Sequence, residues 1–343
     1  MIYSILLTIS LSFFSMMFII HYAEVLNLVD QPNERSTHKR IIPLGAGIGF
    51  ILSMIIGIMN YDISIILHNW HIFASVIFVL AVGIIDDIYH ADPKVKIIII
   101  SLAALLLSLN NLNITNIGSY MGHYISLGWL SIPFTVFVVV AFTNSFNLLD
   151  GIDGLAGIAS FVIISSFWYI GFLHKDILIV TISAFTLVSI LPFILLNHHP
   201  AKIFMGDSGS LSLGLIISIL AILSLAYIHP IVILFLTILP LYDTLTVVTR
   251  RIKNNMPIFK PDKTHMHHIL LGYFGDRDIE GKRIKGSRRT VGILISFQLL
   301  GTIAGYWINS MIQLYRLLPF IAVIIFIMGF LFIYNLFTKI DNL

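Results

Sequence analysis

Long apolar runs alternate with short polar segments along the whole chain. Eleven runs are close to the length of about 20 residues that a helix needs to cross hydrocarbon. They begin near residues 1, 43, 70, 95, 131, 155, 177, 210, 230, 291 and 317. The pattern predicts an all-α integral membrane protein, one polytopic domain over residues 1–343 with about eleven transmembrane helices. The first run lacks a basic leader and a small-residue cleavage site, so we expect a retained span.

The basic residues predict how these spans are oriented. With eleven spans, 18 of the 20 Lys and Arg residues fall on one side, and only Lys175 and Arg316 fall on the other. Because basic loops stay in the cytoplasm, the N-terminus is expected outside and the C-terminus inside. The net charge of +3 then reflects topology and not nucleic-acid binding. The chain has no cysteine, which excludes disulfides and thiolate metal sites.

The stretch 144–157, NSFNLLDGIDGLAG, directly follows the apolar run 132–142. It places four polar side chains at a spacing of three: Asn144, Asn147, Asp150 and Asp153. On a helix such a spacing gives a slowly winding stripe, and we expect Gly151 and Gly154 to end the helix inside the stretch. Carboxylates at the edge of hydrocarbon are costly unless they face a cation, a water-filled cleft or a phosphate. The stretch is therefore interpreted as one wall of an active-site cleft at the cytoplasmic face.

Two further acidic segments fall on the same side of the membrane. Asp86 and Asp87 end the third run, and such a pair must be hydrated, share a proton or be neutralised by a metal. Pro93 is expected to start the next helix, which carries Lys94 and Lys96. Asp207 precedes Ser208, Gly209 and Ser210 at the start of the eighth run, where it could cap a helix or hold a cation beside a phosphate site.

The remaining candidates lie in two inner loops and in the ninth run. Arg35 and His38 follow the first run and suit a ligand phosphate. Asp243 in the ninth run is either functional or paired with a neighbouring helix. The predicted cytoplasmic loop 250–290 carries the HxHH motif, formed by His265, His267 and His268. Without cysteine or a helical HExxH pattern, phosphate or sugar binding is favoured over zinc.

Five segments occur in the order seen in one enzyme family. They are DQPNERSTHKR, IDDIYHADPKVK, NSFNLLDGIDGLAG, IFMGDSGS and PDKTHMHH, within residues 28–305. The chain resembles the polyprenyl-phosphate N-acetylaminosugar-1-phosphate transferases. The resemblance implies transfer of a sugar-1-phosphate, GlcNAc-1-phosphate first, from a UDP-sugar to undecaprenyl phosphate. UMP would be released, with Mg²⁺ or a substituting Mn²⁺, and a cell-surface glycan such as O-antigen or teichoic acid would be initiated at a bacterial plasma membrane. Nucleic acid is not an expected partner, and a homodimer is left open.

The resemblance also implies roles residue by residue. The implied metal ligands are Asp207 and Asp87. The implied catalytic acids are Asp86, Asp87, Asp150 and Asp153. The implied substrate contacts are Asn144 and Asn147 near the nucleotide, Phe204 against the uracil ring, Lys94 or Lys96 on a phosphate, and His265, His267 and His268 in the sugar-binding loop. Two departures are Ala46, where a second glycine is usual, and a longer basic tract after the histidines.

Two alternatives remain open from the sequence. The muramoyl-pentapeptide transferases of the same superfamily carry His-His-His where this chain has HxHH, which favours the UDP-GlcNAc branch. A secondary transporter for an anionic solute would instead place ionisable residues near the bilayer midplane on paired broken helices. Within the enzyme class, both direct transfer and a covalent intermediate are compatible with the sequence.

Overall fold

The structure, a computed structural model, describes residues 1–31, 40–257, 264–274, 280–312 and 314–341. In this part of the chain most residues are helical. The helices are α1 (Ile2–Tyr22), α2 (Ala46–His68), α3 (Trp70–Tyr89), α4 (Pro93–Leu109), α5 (Ser131–Leu149), α6 (Leu155–His174), α7 (Ile177–Asn197), α8 (Gly206–Ser224), α9 (Pro230–Leu236), α10 (Ile238–Lys253), α11 (Met266–Phe274), α12 (Glu280–Met311) and α13 (Leu318–Asp341). The two antiparallel strand pairs are β1 (Val29–Asp30) with β2 (Ile42–Pro43), and β3 (Asn116–Tyr120) with β4 (His123–Ser126). Arg35 and His38 lie outside the described residues.

The helices confirm an all-α membrane protein. Within the described ranges, nine helices are long and apolar enough to cross a bilayer, and α9 with α10, bent by 84°, would make a tenth as one span. Helix α4 has 17 residues, about 25 Å at 1.5 Å per residue, which is short for a hydrocarbon core of about 30 Å. Eleven spans and their orientation therefore stay predictions. Helix α12 begins at Glu280, so part of the predicted 250–290 loop is helical.

Helix α8 is the centre of the bundle. It is buried along almost its whole length and contacts α2, α3, α5, α6 and α7. Helices α1 and α13 lie at the periphery and leave many large apolar side chains exposed, as expected for surfaces that face lipid. The first turn of α8 is therefore held by its neighbours.

Close approach of backbones fixes the start of α8. Gly47 of α2 and Gly83 of α3 both contact the backbone around Ser208, and a Cβ atom at either glycine would overlap it. Such contacts between small residues let membrane helices pack tightly. They set the position of Asp207, the residue just before Ser208.

We expect Gly83→Ala to destabilise the protein by about 1–3 kcal/mol, because the added methyl group meets backbone that cannot rotate away. Thermal unfolding in detergent measures this. Gly292→Ala in α12 is the matched control, since a Cβ there meets nothing within 4 Å. Equal unfolding temperatures for the two variants would contradict the proposed packing role of Gly83.

Helices α3 and α5 end, and helices α4 and α8 begin, at the same end of the bundle. Helix α3 ends beyond Asp87, and α4 begins at Pro93, as predicted; its N-cap is Asp92. Helix α5 ends at Leu149, which confirms that the helix stops near Gly151 and leads into a turn. The predicted four-residue stripe is wrong, however: Asn144 and Asn147 are helical, while Asp150 and Asp153 lie in the turn 150–154. Gly154 adopts φ +82°, which a helix cannot accommodate.

Candidate active site

A cavity of about 420 Å³ lies where these helix ends meet. Eight of the side chains expected from the sequence line it: Asp86, Asp87, Asn147, Asp150, Asp153, Phe204, Asp207 and His268. They come from α3, α5, α8, α11 and the connecting segments. Residues far apart in the chain thus converge on one space that is rich in carboxylates.

Lys96 joins two of the acids. Its Nζ lies 2.7 Å from Asp207 Oδ2 and 3.1 Å from Asp86 Oδ2. Asn147 Nδ2 donates to Asp207 Oδ1 at 3.0 Å and to Ser210 Oγ at 2.7 Å. Both carboxylate oxygens of Asp207 therefore face hydrogen-bond donors, and a positive charge bridges Asp86 and Asp207.

The structure distinguishes the two lysines that the sequence left open. Lys96 is half-buried and contacts the acids, whereas the side chain of Lys94 is exposed and its backbone N–H is bonded to the Asp92 side chain. The two residues are about 200° apart around α4, so only one can reach Asp86 and Asp207. Lys96 is the lysine at the site.

Asp87 binds the start of α8. Its Oδ1 accepts the Asp207 N–H at 2.7 Å and its Oδ2 accepts the Ser208 N–H at 3.2 Å. These are free first-turn donors of α8, where a negative charge is also stabilised by the helix dipole. Asp87, and not Asp207, is therefore the residue that caps this helix, which leaves the Asp207 side chain directed at Lys96 and Asn147. The metal-ligand role implied for Asp87 stays a prediction.

Asp150 lies among three other carboxylates of the cavity, those of Asp87, Asp153 and Asp207. Burial, reinforced by the charges of Asp207, Asp87 and Asp153, raises the pKa of Asp150 to about 8. Its carboxyl group accepts no hydrogen bond from the described residues that would offset this. Burial among these acids therefore favours the protonated form of the Asp150 carboxyl group.

Asp153 holds a neighbouring loop. His199 Nδ1 lies 2.6 Å from Asp153 Oδ2, and the Ala201 N–H donates to the same oxygen at 3.0 Å. Asn197 makes a second tie: its Oδ1 accepts the Gly154 N–H at 2.8 Å, and its Nδ2 donates to the Ile203 carbonyl. The turn 150–154 is thus tied to the segment 197–203, which leads directly to Phe204.

Phe204 is fixed through its backbone. Its N–H donates to the Pro43 carbonyl at 2.8 Å, and its carbonyl accepts the Ala46 N–H at 3.1 Å, one of the free donors at the start of α2. The ring lines the cavity. This arrangement offers a rigid aromatic wall for a planar ligand.

Several expected site residues do not line the cavity. Asn144 is exposed one turn before Asn147, because Asn147 and Asn144 point about 60° apart on α5. His265 and His267 are buried behind His268 and lie beside Asp243. Of the three histidines only His268 lines the cavity, and the contact of His265 and His267 with substrate stays a prediction.

Four contributors were missed from the sequence. Asp30, His90 and Asn197 line the cavity, and His199 binds Asp153. Asn197 ends an apolar run in the same way as Asn147, so the cost of a polar group at the end of a span could have revealed it. His90 follows α3 in a left-handed conformation, and no local pattern signals its direction.

Comparison with known proteins shows the family of the chain. Residues 69–225 match the model of glycosyl transferase family 4. A Bacillus subtilis (strain 168) protein named probable undecaprenyl-phosphate N-acetylglucosaminyl 1-phosphate transferase is 35% identical over 253 residues, covering 71% of this chain and 70% of that protein. The chain belongs to glycosyl transferase family 4.

Other relatives of this family 4 member have matching names. Proteins named undecaprenyl-phosphate alpha-N-acetylglucosaminyl 1-phosphate transferase from Escherichia coli O157:H7 and Yersinia pestis are 31% and 30% identical. The aligned regions cover 73% and 75% of this chain and 70% and 74% of those proteins. The residues that match the family model include Asp86, Lys96, Asn147 and Asp207, but they end before Asp243 and the histidines of residues 265–268.

Proposed function

We propose that the protein transfers GlcNAc-1-phosphate from UDP-GlcNAc to undecaprenyl phosphate and releases UMP. This proposal is carried by the cavity-lining residues Asp86, Asn147 and Asp207 and by Lys96, which bonds to the two acids, because phosphoryl transfer needs fixed charges around phosphate groups more than it needs covalent chemistry. The names of the relatives support the same substrates. The excess of basic residues on one side supports a cavity that opens to the cytoplasm.

The donor set fits Mg²⁺. The carboxylates of Asp86 and Asp207 provide the hard oxygen ligands that Mg²⁺ prefers, and the Lys96 ammonium already lies between them as a positive charge. Asp207, with Asp86, would hold the ion. When bound, it would neutralise negative charge on the phosphate oxygens of the substrates.

The proposed reaction is the displacement of UMP by the lipid phosphate, and residues of the cavity bind the two substrates. An oxygen of the lipid phosphate attacks the β-phosphorus of the UDP-sugar, a new P–O bond forms, the bond to the bridging oxygen breaks, and UMP leaves. The lipid phosphate is already an anion, so no strong base is required. Lys96 balances phosphate charge, Phe204 stacks on the uracil, and His268 faces the sugar.

The decisive assay uses purified protein with undecaprenyl phosphate, Mg²⁺ and radiolabelled UDP-sugars. We expect a lipid-linked product from UDP-GlcNAc, loss of the product with EDTA and recovery with added Mg²⁺. Product from UDP-MurNAc-pentapeptide alone would favour the other branch of the superfamily. No lipid-linked product from any UDP-sugar would refute the proposal.

The transporter alternative makes a different structural demand. It needs corresponding broken helices in two halves of the chain, whereas the described residues contain a single sharply bent pair, α9 with α10. Accumulation of an anionic solute in proteoliposomes without lipid-linked product would favour it. We expect no such accumulation.

A further inference from the structure

The described part of the chain contains a second cluster of ionisable groups, behind the cavity. Asp243 of α10 is fully buried and lies beside His265 and His267, which are 5% and 1% exposed. None of these three side chains lines the cavity. A carboxylate buried to this extent is costly unless it is paired and hydrogen-bonded, so its partners indicate what it does.

Asp243 binds the start of the histidine segment at two points. Its Oδ2 accepts a hydrogen bond from His265 Nδ1 at 2.6 Å, and its Oδ1 accepts the Met266 N–H at 2.7 Å. Met266 is the first residue of α11, so its N–H has no acceptor within the helix. Asp243 therefore acts as an N-cap supplied by another helix.

The same helix holds the segment at a third point. Arg250 lies two turns after Asp243 on the same face of α10, and its Nη1 donates to the Thr264 carbonyl at 3.2 Å. Residues 264–266 are thus bonded to α10 by one carboxylate and one guanidinium. The direction in which α11 leaves α10 is set by these bonds.

His267 connects Asp243 with the residues of the cavity. It lies between Asp243 and the turn 150–154, and its Nε2 approaches Gly151 so closely that a Cβ at that position would overlap it. The His267 and His268 rings are in contact, with centroids 4.3 Å apart, and His268 lines the cavity. A contiguous chain of contacts therefore runs from Asp243 through His265 and His267 to His268 and Gly151.

We propose that Asp243 is a positioning residue: through His265 and the Met266 N–H it sets the start of α11, and it thereby places His268 in the part of the cavity that binds the UDP-sugar. The inference rests on the proposed function for the identity of that ligand. It assigns no contact between Asp243 and the substrate.

Asp243, His265 and His267 lie close enough together to hold a metal ion, but hydrogen bonding already accounts for Asp243 and His265, and only the ring nitrogens of His267 lack a hydrogen-bond partner among the described residues. Two ligands of one tetrahedral zinc lie about 3.3 Å apart when each is about 2.0 Å from the ion. The separation of 2.6 Å between His265 Nδ1 and Asp243 Oδ2 is that of a hydrogen bond, and the other oxygen already accepts a backbone N–H. The carboxylate is thus satisfied by the protein itself.

Asp243→Asn is the test variant, because both partners of Asp243 are donors and an amide offers only one acceptor. We expect KM for UDP-GlcNAc to rise about tenfold or more, as loss of one strong hydrogen bond would give, while kcat and KM for undecaprenyl phosphate change little. The double variant with His268→Ala should bind UDP-GlcNAc no worse than His268→Ala alone. An unchanged KM, a loss confined to kcat, or additive effects in the double variant would overturn the proposal.

Asp176→Asn is the matched control. Asp176 also caps a helix, since it accepts the Ile179 N–H at 2.9 Å, but it lies at the far end of α6 from the turn 150–154. We expect the KM for UDP-GlcNAc to stay near the wild-type value in Asp176→Asn, because Asn caps a helix about as well as Asp and Asp176 does not line the cavity. An equal rise in KM in both variants would make the effect of Asp243→Asn merely structural.

Hydrogen exchange and metal content give readouts that do not require turnover. Amide exchange of residues 264–274 should accelerate in Asp243→Asn and not in Asp176→Asn, even if the protein transfers no sugar phosphate. Unchanged exchange would refute the positioning role by itself, whereas absent transfer with accelerated exchange would refute only the proposed function. One zinc per wild-type chain that Asp243→Asn loses would replace this inference with a metal site.

Discussion

Replacing Asp207 with Asn is expected to abolish transfer without unfolding the protein. Lys96 and the Asn147 amide donate to its two oxygens, at 2.7 Å and 3.0 Å, so an amide would turn one acceptor into a donor that faces another donor. It would also remove a charge that a bound Mg²⁺ requires. We expect kcat to fall about a thousandfold or more, as when a site loses a main electrostatic element.

The unfolding temperature and a control variant show whether the loss of turnover in Asp207→Asn is specific to the site. Asp207→Asn should still unfold in one cooperative transition, at a somewhat lower temperature than the wild type, because Asp87 caps α8 through the backbone N–H groups of Asp207 and Ser208, which the substitution keeps. Asp62→Asn is the control, since Asp62 accepts a local Ser64 N–H bond on α2 and Asn caps equally well. Near-wild-type turnover by Asp207→Asn would remove Asp207 from the metal site.

The second large effect is expected from Lys96→Met. The substitution leaves Asp86 and Asp207 without the cation that bridges them and removes a positive charge from the phosphate site. We expect turnover to fall about a hundredfold, within the range for loss of one electrostatic contact to a transferring phosphoryl group. Initial rates at saturating UDP-GlcNAc and lipid phosphate measure the effect.

Lys94→Met provides a control on the same helix. Lys94 has the same charge and lies two residues away, but its side chain is exposed. We expect its rate to stay within about twofold of the wild type, as for most exposed substitutions. Equal losses for the two variants would show that general basicity near the membrane, and not the bridge at Lys96, supports activity.

The sequence predicted the helix boundaries well where the signals were local. Asp92 followed by Pro93 starts α4 because the carboxylate caps a free N–H and proline needs none there. Gly151 and Gly154 mark the turn after α5. Because the helix ends at these glycines, Asp150 and Asp153 lie in a turn and do not continue the helical stripe of Asn144 and Asn147.

The partners of the site side chains could not be predicted from such local signals. Lys96 and Asp207 are 111 residues apart, and Asp87 and the Ser208 N–H are 121 apart. The spacing of residues within one helix gives no information on which end of another helix lies opposite. Asp153 with His199 and Asp243 with His265 are further pairs that only the packing of helices could reveal.

The sequence alone determined that this is a helical membrane protein and which residue types are available for phosphate and metal chemistry. Apolar length and the need to satisfy every backbone group in hydrocarbon act locally, so they can be read along the chain. The tertiary structure decided the division of labour: Asp207 with Lys96 faces the cavity, Asp87 caps α8, and Asp243 holds the histidine segment. Those roles depend on contacts between helices, because a carboxylate acts according to the donor that it meets.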